Sequence, residues 1–300
     1  MTNAFPLEPG GSAEAIRHHY DVGNDFYASW LDPTMVYSCA MWDDPEDSAT
    51  LEEAQHRKLL HHARSIKAAP GMNILDVGCG WGGQMRALIE EFGVASCTGL
   101  TLSEEQAAHV RSLGLKDTTV ELMNWHDYIP ETPFDGIISV GAFEHFAHPS
   151  QSEEERRDTY RRFFQSCLNW TDGRGRLSLQ TIAYGTMNAR QANPFITGDI
   201  FPAAELPTVE DIVVASRGLF RIMLLRDDGL DYARTCTIWA QRLRKAIACG
   251  RAGNDPDLAQ RYHRYLRLSA AGFAMGRIGL LRVVFDPIRP AARPHTQTAR

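Results

Sequence analysis

Three hundred residues, 44% hydrophobic and 23% charged, suffice for one enlarged α/β domain with a full core and exclude a disordered or collagen-like chain. No apolar run approaches the ~18 residues of a membrane span, and the start MTNAFPLEPGGSAE lacks the pattern of a secretory leader. The net charge of −6 is uneven: residues 1–240 hold 19 Lys and Arg against 34 Asp and Glu, residues 241–300 hold 12 against 3. Such a basic end implies an acidic partner (a phosphate, a membrane surface or nucleic acid) or a basic helix docked on the chain's own acidic body. Only four of the 31 basic residues are Lys (Lys58, Lys67, Lys116, Lys245), so arginine abundance reads as genome composition. Cys39, Cys79, Cys97, Cys167, Cys236 and Cys249 never fall into metal-ligand spacing, which predicts reduced thiols in a cytoplasm, no metal site and no disulfides.

In chain order, residues up to about 15 read as a flexible lead-in. A helix starts at Thr50, where Thr50 and Glu53 make a capping box and Leu51, Ala54, Leu59 and Ile66 share a face; Ala69-Pro70-Gly71 ends it. His56, His61 and His62 fall on its polar side and read as solvated. Buried-strand runs follow at Met72–Val77, Val94–Leu100, Thr119–Met123, Gly136–Val140 and Arg176–Ile182. Between them lie helix-like stretches, one reaching Ile89, one starting at Ser103 with Gln106 in a second capping box, and a polar one over 151–169. This alternation predicts a mostly parallel sheet with helices on both faces. The Pro- and Gly-spaced segment 184–210 looks like a pocket wall, Phe220–Arg226 and Ala233–Trp239 like a closing hairpin, and 241–285 like basic helices.

The sharpest local signal is ILDVGCGWGG, residues 74–83: a strand, an acid, then a glycine turn entering a helix. Gly78 and Gly80 leave bare backbone against which a ligand could sit. The string also fits the loose dinucleotide pattern GxGxxG. Asp76, however, would repel a pyrophosphate and suits a cationic amino-acid ligand. The second strand ends in GLTLS, without the acid that takes a ribose diol in a plain dehydrogenase. D-x-G-x-G resembles motif I of S-adenosylmethionine-dependent methyltransferases.

The segments HYDVGNDFY (19–27), LDPTMVYSCAMW (31–42), TLEEAQ (50–55), LDVGCGWG (75–82), GLTLSEEQAAHV (99–110), SVGAFEHF (139–146), DIFP (199–202) and DYARTCTIWA (231–240) occur in this order. Together they resemble the cyclopropane-fatty-acid synthase family, with its mycolic-acid cyclopropane synthases and mycolate methyltransferases, over roughly residues 16–285. The chain looks like the shorter members without the N-terminal domain of the phospholipid-acting ones. The resemblance implies a Rossmann-like class I methyltransferase fold in one domain. Its parts would be an N-terminal helical cover (1–69), a cofactor-binding core (70–183), a substrate-pocket insertion after the fifth strand (184–219), closing strands (220–240) and basic C-terminal helices and tail (241–300). It implies S-adenosyl-L-methionine as cofactor, approached by Tyr37 and Ser38, with Asp76, Gly78 and Gly80 at the methionyl part. Thr101, Leu102 and Gln106 would lie at the ribose, their hydroxyl and amide replacing the missing acid. Trp125 would lie at the adenine, followed by His126 where the family has Glu or similar.

The family's reaction sends a methyl to an alkene, forming a carbocation that must lose a proton in a water-poor pocket. A bound bicarbonate serves as base in the synthases. Its holders would be Cys39 and Ile182 through backbone groups, Glu144 and Tyr232, whereas the family's His is Gln180 here. Gln donates a hydrogen bond but carries no charge and relays no proton. Three alternatives follow: a weakened bicarbonate site, Glu144 itself as base, or a substrate that needs no base.

Glu144, after an apolar strand end, stands where α/β sites lie. His145 and His148 flank it and read as structural, and the adjacent His18 and His19 make a poor metal site. Phe195, Ile196, Ile200, Phe201, Leu206 and Phe273 suit an acyl- or terpene-like pocket or ordinary core. The leading expectation is a cytoplasmic C-methyltransferase or cyclopropane synthase for a double bond in an acyl chain, terpenoid or other natural product. The alternative is an N-methyltransferase of a small amine. Peripheral contact with a membrane or carrier protein and an oligomer are compatible with the sequence. No RNA or DNA motif accompanies the basic end, so no nucleic-acid partner is expected.

Overall fold

The computed structural model of the protein describes residues 22–191, 193–196, 200 and 204–288. His18, His19, Phe201 and the first and last segments of the chain lie outside them.

Among the described residues two helices precede the sheet: α1 (Asn24–Ala28) and α2 (Leu51–Ser65). The capping box at the start of α2 forms as the sequence implies, Thr50 Oγ1 accepting from the Glu53 N–H while the Glu53 carboxylate accepts from the Thr50 N–H. Then come β1 (Asn73–Val77), α3 (Gly83–Phe92), β2 (Ser96–Thr101), α4 (Glu104–Ser112), β3 (Thr118–Leu122) and β4 (Gly136–Val140). At α4 only half the expected box forms. Ser103 accepts from the Gln106 N–H, but the Gln106 side chain accepts the Thr101 hydroxyl instead of capping Ser103. A 3-10 turn (Phe143–His145) leads to α5 (Glu153–Trp170), β5 (Arg176–Tyr184), α6 (Val209–Ser216), β6 (Phe220–Asp227), α7 (Gly229–Ala248), α8 (Pro256–Ala274) and β7 (Ile278–Pro287).

The seven strands form one sheet in the order β3-β2-β1-β4-β5-β7-β6, parallel from β3 to β5 and antiparallel where β7 pairs with β5 and β6. Aligned registers place Val77 beside both Leu100 and Ser139, so β1, β2 and β4 end along one edge. One face is covered by α5, whose Tyr160, Phe163 and Phe164 pack with Leu177, Leu179 and Phe285. On the other face α2, α3 and α4 close over Ile74, Ile138 and Cys97. A third cluster joins α1, α7, α8 and the 30–42 loop around Trp30, Trp239, Tyr262 and Phe273.

Three expectations need correction. Ala233–Trp239 is not a strand: Tyr232, Thr235, Cys236, Trp239, Ala240, Leu243 and Ala246 are buried at helical spacing, and packing overrides the β-propensity of Tyr, Thr, Ile and Trp. Residues 220–240 are thus one strand followed by the first half of α7. Nor is 241–285 wholly helical. Ile278–Pro287 is a strand flanked on both sides, so nearly all its residues are buried and its apolar run shows no alternation. Finally, His62 is fully buried, because the inward stripe of α2 carries polar residues that find partners: Gln55 on Val36 O and Ser38 O, Lys58 on Ser38, His62 on Ser178 and Gln180. His56 does face outward, beside Glu91.

Candidate functional site

The glycine loop turns at the sheet edge with the N–H groups of Gly78 and Cys79 both donating to Leu100 O. Gly78 (φ +83°) and Gly80 (φ +53°) are left-handed but differ in surroundings. A Cβ on Gly78 would lie 2.5 Å from Ala142 Cβ, so this glycine admits the β4 loop, not a ligand. A Cβ on Gly80 would meet nothing within 4 Å. Of the expected cofactor residues, Tyr37, Ser38, Asp76, Gly78, Gly80, Thr101, Leu102, Gln106 and Trp125 line a single cavity. His126 does not; it is exposed, its ring edge-on to Trp125 at 5.7 Å.

Asp76 is 2% exposed, and burial pushes its carboxyl up to about 7 against the pull of Lys58. The carboxylate therefore lacks a full counter-charge, as a subsite for a cationic ligand would. Thr101 donates to Gln106 Oε1 and accepts from the Ser103 N–H, which turns the Gln106 carboxamide by its oxygen and leaves its N–H groups for a ligand. Trp125 packs on Phe146 and Phe163, and its buried indole N–H has no acceptor among the described residues. An acid, an open glycine, an amide donor and an orphaned indole N–H along one cavity fit a nucleoside carrying a cationic amino acid.

The five expected catalytic residues form a connected set. Glu144 Oε1 accepts from the Ile182 N–H at 2.6 Å, while Oε2 is buried with no donor among the described residues. Burial raises this carboxyl to about 7; the N–H groups of Ile182 and Glu144 and the Thr181 hydroxyl oppose the rise. Gln180 Oε1 accepts from Arg282 Nε at 2.9 Å and faces His62 Nε2 at 3.3 Å. Arg282, fully buried and beside Gln180 in the β5–β7 register, also donates to Cys39 O, Ala40 O and Asp228. Burial holds the Cys39 thiol near 12 and the Tyr232 phenol well above its ordinary value, so both are protonated. Tyr232 stacks on Phe273 at 4.5 Å, in the same apolar cluster as Cys39, Ile182, Phe195, Ile196 and Ile200.

The model of the mycolic acid cyclopropane synthetase family matches residues 9–283. The chain belongs to that family. Its relatives include cyclopropane mycolic acid synthase 2 of Mycobacterium bovis, 35% identical over 285 residues, covering 89% of this chain and 91% of the relative. The structure of the cyclopropane synthase MmaA2 from Mycobacterium tuberculosis superposes with a TM-score of 0.81 at 32% identity, covering 94% of this chain and 99% of that one. So does mycolic acid cyclopropane synthase CmaA1 complexed with SAH and CTAB: TM-score 0.81, 30% identity, 93% and 99% covered. The chain is accordingly an S-adenosylmethionine-dependent transferase with the Rossmann-like class I fold.

Three buried groups were not expected at this site: Lys58, which lines the candidate cofactor cavity, and His62 and Arg282, which hold Gln180. A signal for Lys58 and His62 exists, since with Leu51 and Ala54 they recur at three- and four-residue spacing down the inward face of α2. Arg282 interrupts the apolar run IGLLRVVF only as a single letter, and its role follows from the strand pairing. The basic end is partly accounted for: Arg242 pairs with Glu52 and Arg282 with Asp228, so some of its charge docks on the acidic body.

Proposed function

We propose that the protein methylates a carbon–carbon double bond of a lipophilic substrate, an acyl chain, terpenoid or other natural product, giving a cyclopropane, methyl branch or exomethylene. Bound S-adenosylmethionine would supply an electrophilic methyl group. The carrying observation is Glu144, a buried carboxylate with one oxygen fixed on Ile182 and the other without a donor among the described residues, where Ile182 packs on the apolar cluster that holds Tyr232. A carbocation needs a wall that offers no nucleophile, and the Tyr232 and Phe273 rings present π-faces. The Cys39 thiol, kept protonated by burial, would not capture the cation.

Glu144 takes the departing proton. Its carboxyl lies near 7, suited to accept a proton at neutral pH. The Ile182 N–H is committed to Glu144, and the Gln180 oxygen is committed to Arg282. Two members of the family's bicarbonate site are thereby engaged, which favours a direct role for Glu144. Cys39, Tyr232 and the Gln180 amide position substrate around it. The unpaired cysteines fit a cytoplasmic setting, and among the described residues no helix is long and apolar enough to cross a membrane.

The test is an assay with deuteromethyl-labelled cofactor against unsaturated acyl, terpenoid and amine substrates. A ring product keeps two of the three labels and N-methylation keeps all three; label appearing only on amines would overturn the proposal. Running it in carbonate-depleted buffer separates the two bases, since activity that collapses and returns with bicarbonate assigns the proton to bicarbonate. Gln180→His should shift the partition between ring and methyl-branch products if residue 180 steers the cation.

A further inference from the structure

Lys58 sits in the middle of α2 with 1% of its surface exposed, yet lines the cofactor cavity together with Asp76. Its ammonium makes one hydrogen bond among the described residues, Nζ donating to Ser38 Oγ at 2.7 Å, which leaves two N–H groups over. No carboxylate lies within 4 Å of it among the described residues. The acid with the largest attraction for it, Asp32, is spent locally: Oδ1 accepts from the Val36 N–H and Oδ2 from the Thr34 N–H and hydroxyl. Asp76 is likewise buried and has no ion-pair partner within 4 Å among the described residues. Two opposite charges thus face one cavity without meeting each other. Burying an ammonium and a carboxylate apart is costly unless a third body offsets both. An α-amino acid carries the complementary pair on adjacent atoms, an ammonium and a carboxylate.

We propose that Lys58 is a cofactor-binding residue whose ammonium, held by Ser38, takes the α-carboxylate of the amino-acid portion, while Asp76 takes the α-ammonium. This rests on the S-adenosylmethionine assignment and deepens it. Lys58 binds the carboxylate as a positioned point charge, and it is favourably placed to do so because Ser38 fixes one of its three N–H directions. Burial also draws the Lys58 ammonium down to about 7, a burden that an anionic ligand would relieve. The pocket would then recognise the zwitterion as well as the nucleoside, and would discriminate against thioether nucleosides lacking the carboxylate.

Calorimetric titration of the full-length protein decides it, with S-adenosylhomocysteine and its decarboxylated analogue S-adenosyl-3-thiopropylamine as probes. A charge-assisted contact in a buried site predicts that the wild type binds the analogue about 10- to 100-fold more weakly. In Lys58→Met, similar in length and apolar, the two ligands should bind within about threefold of each other. An undiminished preference in Lys58→Met overturns the assignment, as does equal binding of both ligands by the wild type, a measurement that needs no variant. If the wild type binds neither ligand, the cofactor assignment falls, and this one with it. Asp76→Asn should weaken both ligands together, since both keep the amine; weakening of S-adenosylhomocysteine alone would contradict the division of roles.

Discussion

Replacing Glu144 by Gln should make the protein more stable and less active, with a pH dependence that ties the two. Burial lifts the Glu144 carboxyl from an ordinary 4.5 to about 7. A group whose folded pKa lies above its unfolded one costs nothing below pH 4.5, and its cost grows until pH passes 7. At about 1.4 kcal/mol per pH unit the full cost is about 3 kcal/mol. Gln keeps an oxygen for the Ile182 N–H and puts an amide where Oε2 meets no donor. Burying that amide without a partner would remove about 1 kcal/mol of the gain. Glu144→Gln should therefore lie about 1 kcal/mol below the wild type near pH 4.5 and exceed it by about 2 kcal/mol at pH 8. Urea unfolding followed by circular dichroism at pH 5, 6.5 and 8 reads this directly. In the labelled-methyl assay, loss of the base should lower product formation by about 10²- to 10⁴-fold. A stability difference that stays constant across this pH range would refute the reasoning, because it would mean the carboxyl is ionised in a wet site.

Gly78→Ala should cost about 2–3 kcal/mol in thermal unfolding, since the new methyl would lie 2.5 Å from Ala142 Cβ at a φ of +83°. Gly80→Ala meets open space and should cost only about 1 kcal/mol, yet weaken S-adenosylhomocysteine binding, because its methyl enters the cavity. Arg282→Met should destabilise by about 3–5 kcal/mol in denaturant titration, for it strands the buried Asp228 and Gln180; a loss under about 1 kcal/mol would show that neither depends on it. Thr50→Ala, which removes one half of the α2 capping box, should cost about 1 kcal/mol by the same measurement.

The strands of the parallel half were legible because fully buried strands announce themselves as apolar runs between turns; Gly136–Val140 matches to the residue. The glycine loop and nine of the ten expected cofactor residues converge on one cavity for a related reason. A short loop at a strand end leaves its residues little freedom in where they lie. What escaped was long-range. Whether 278–287 is helix or strand depends on β5 and β6 waiting on either side of it. His62 looked solvated because its partners, Ser178 and Gln180, are more than a hundred residues away in sequence. Lys58 had a visible clue, a lysine on an apolar helix face in a chain that otherwise uses arginine almost throughout. Gly78 shows the converse error: its need for glycine was evident, but the neighbour that demands it is Ala142.

The placement of β7 between β5 and β6 makes one part of the molecule depend on the last described strand. Every strand that frames the cofactor cavity precedes residue 141, whereas the guanidinium that fixes Gln180, Cys39 and Ala40 arrives on the final strand of the sheet. The lining of the glycine-loop cavity thus comes from the first half of the chain, whereas the set around Gln180 depends on the last described strand. A truncation before Ile278 would remove the guanidinium that ties Gln180, Cys39 and Ala40 together.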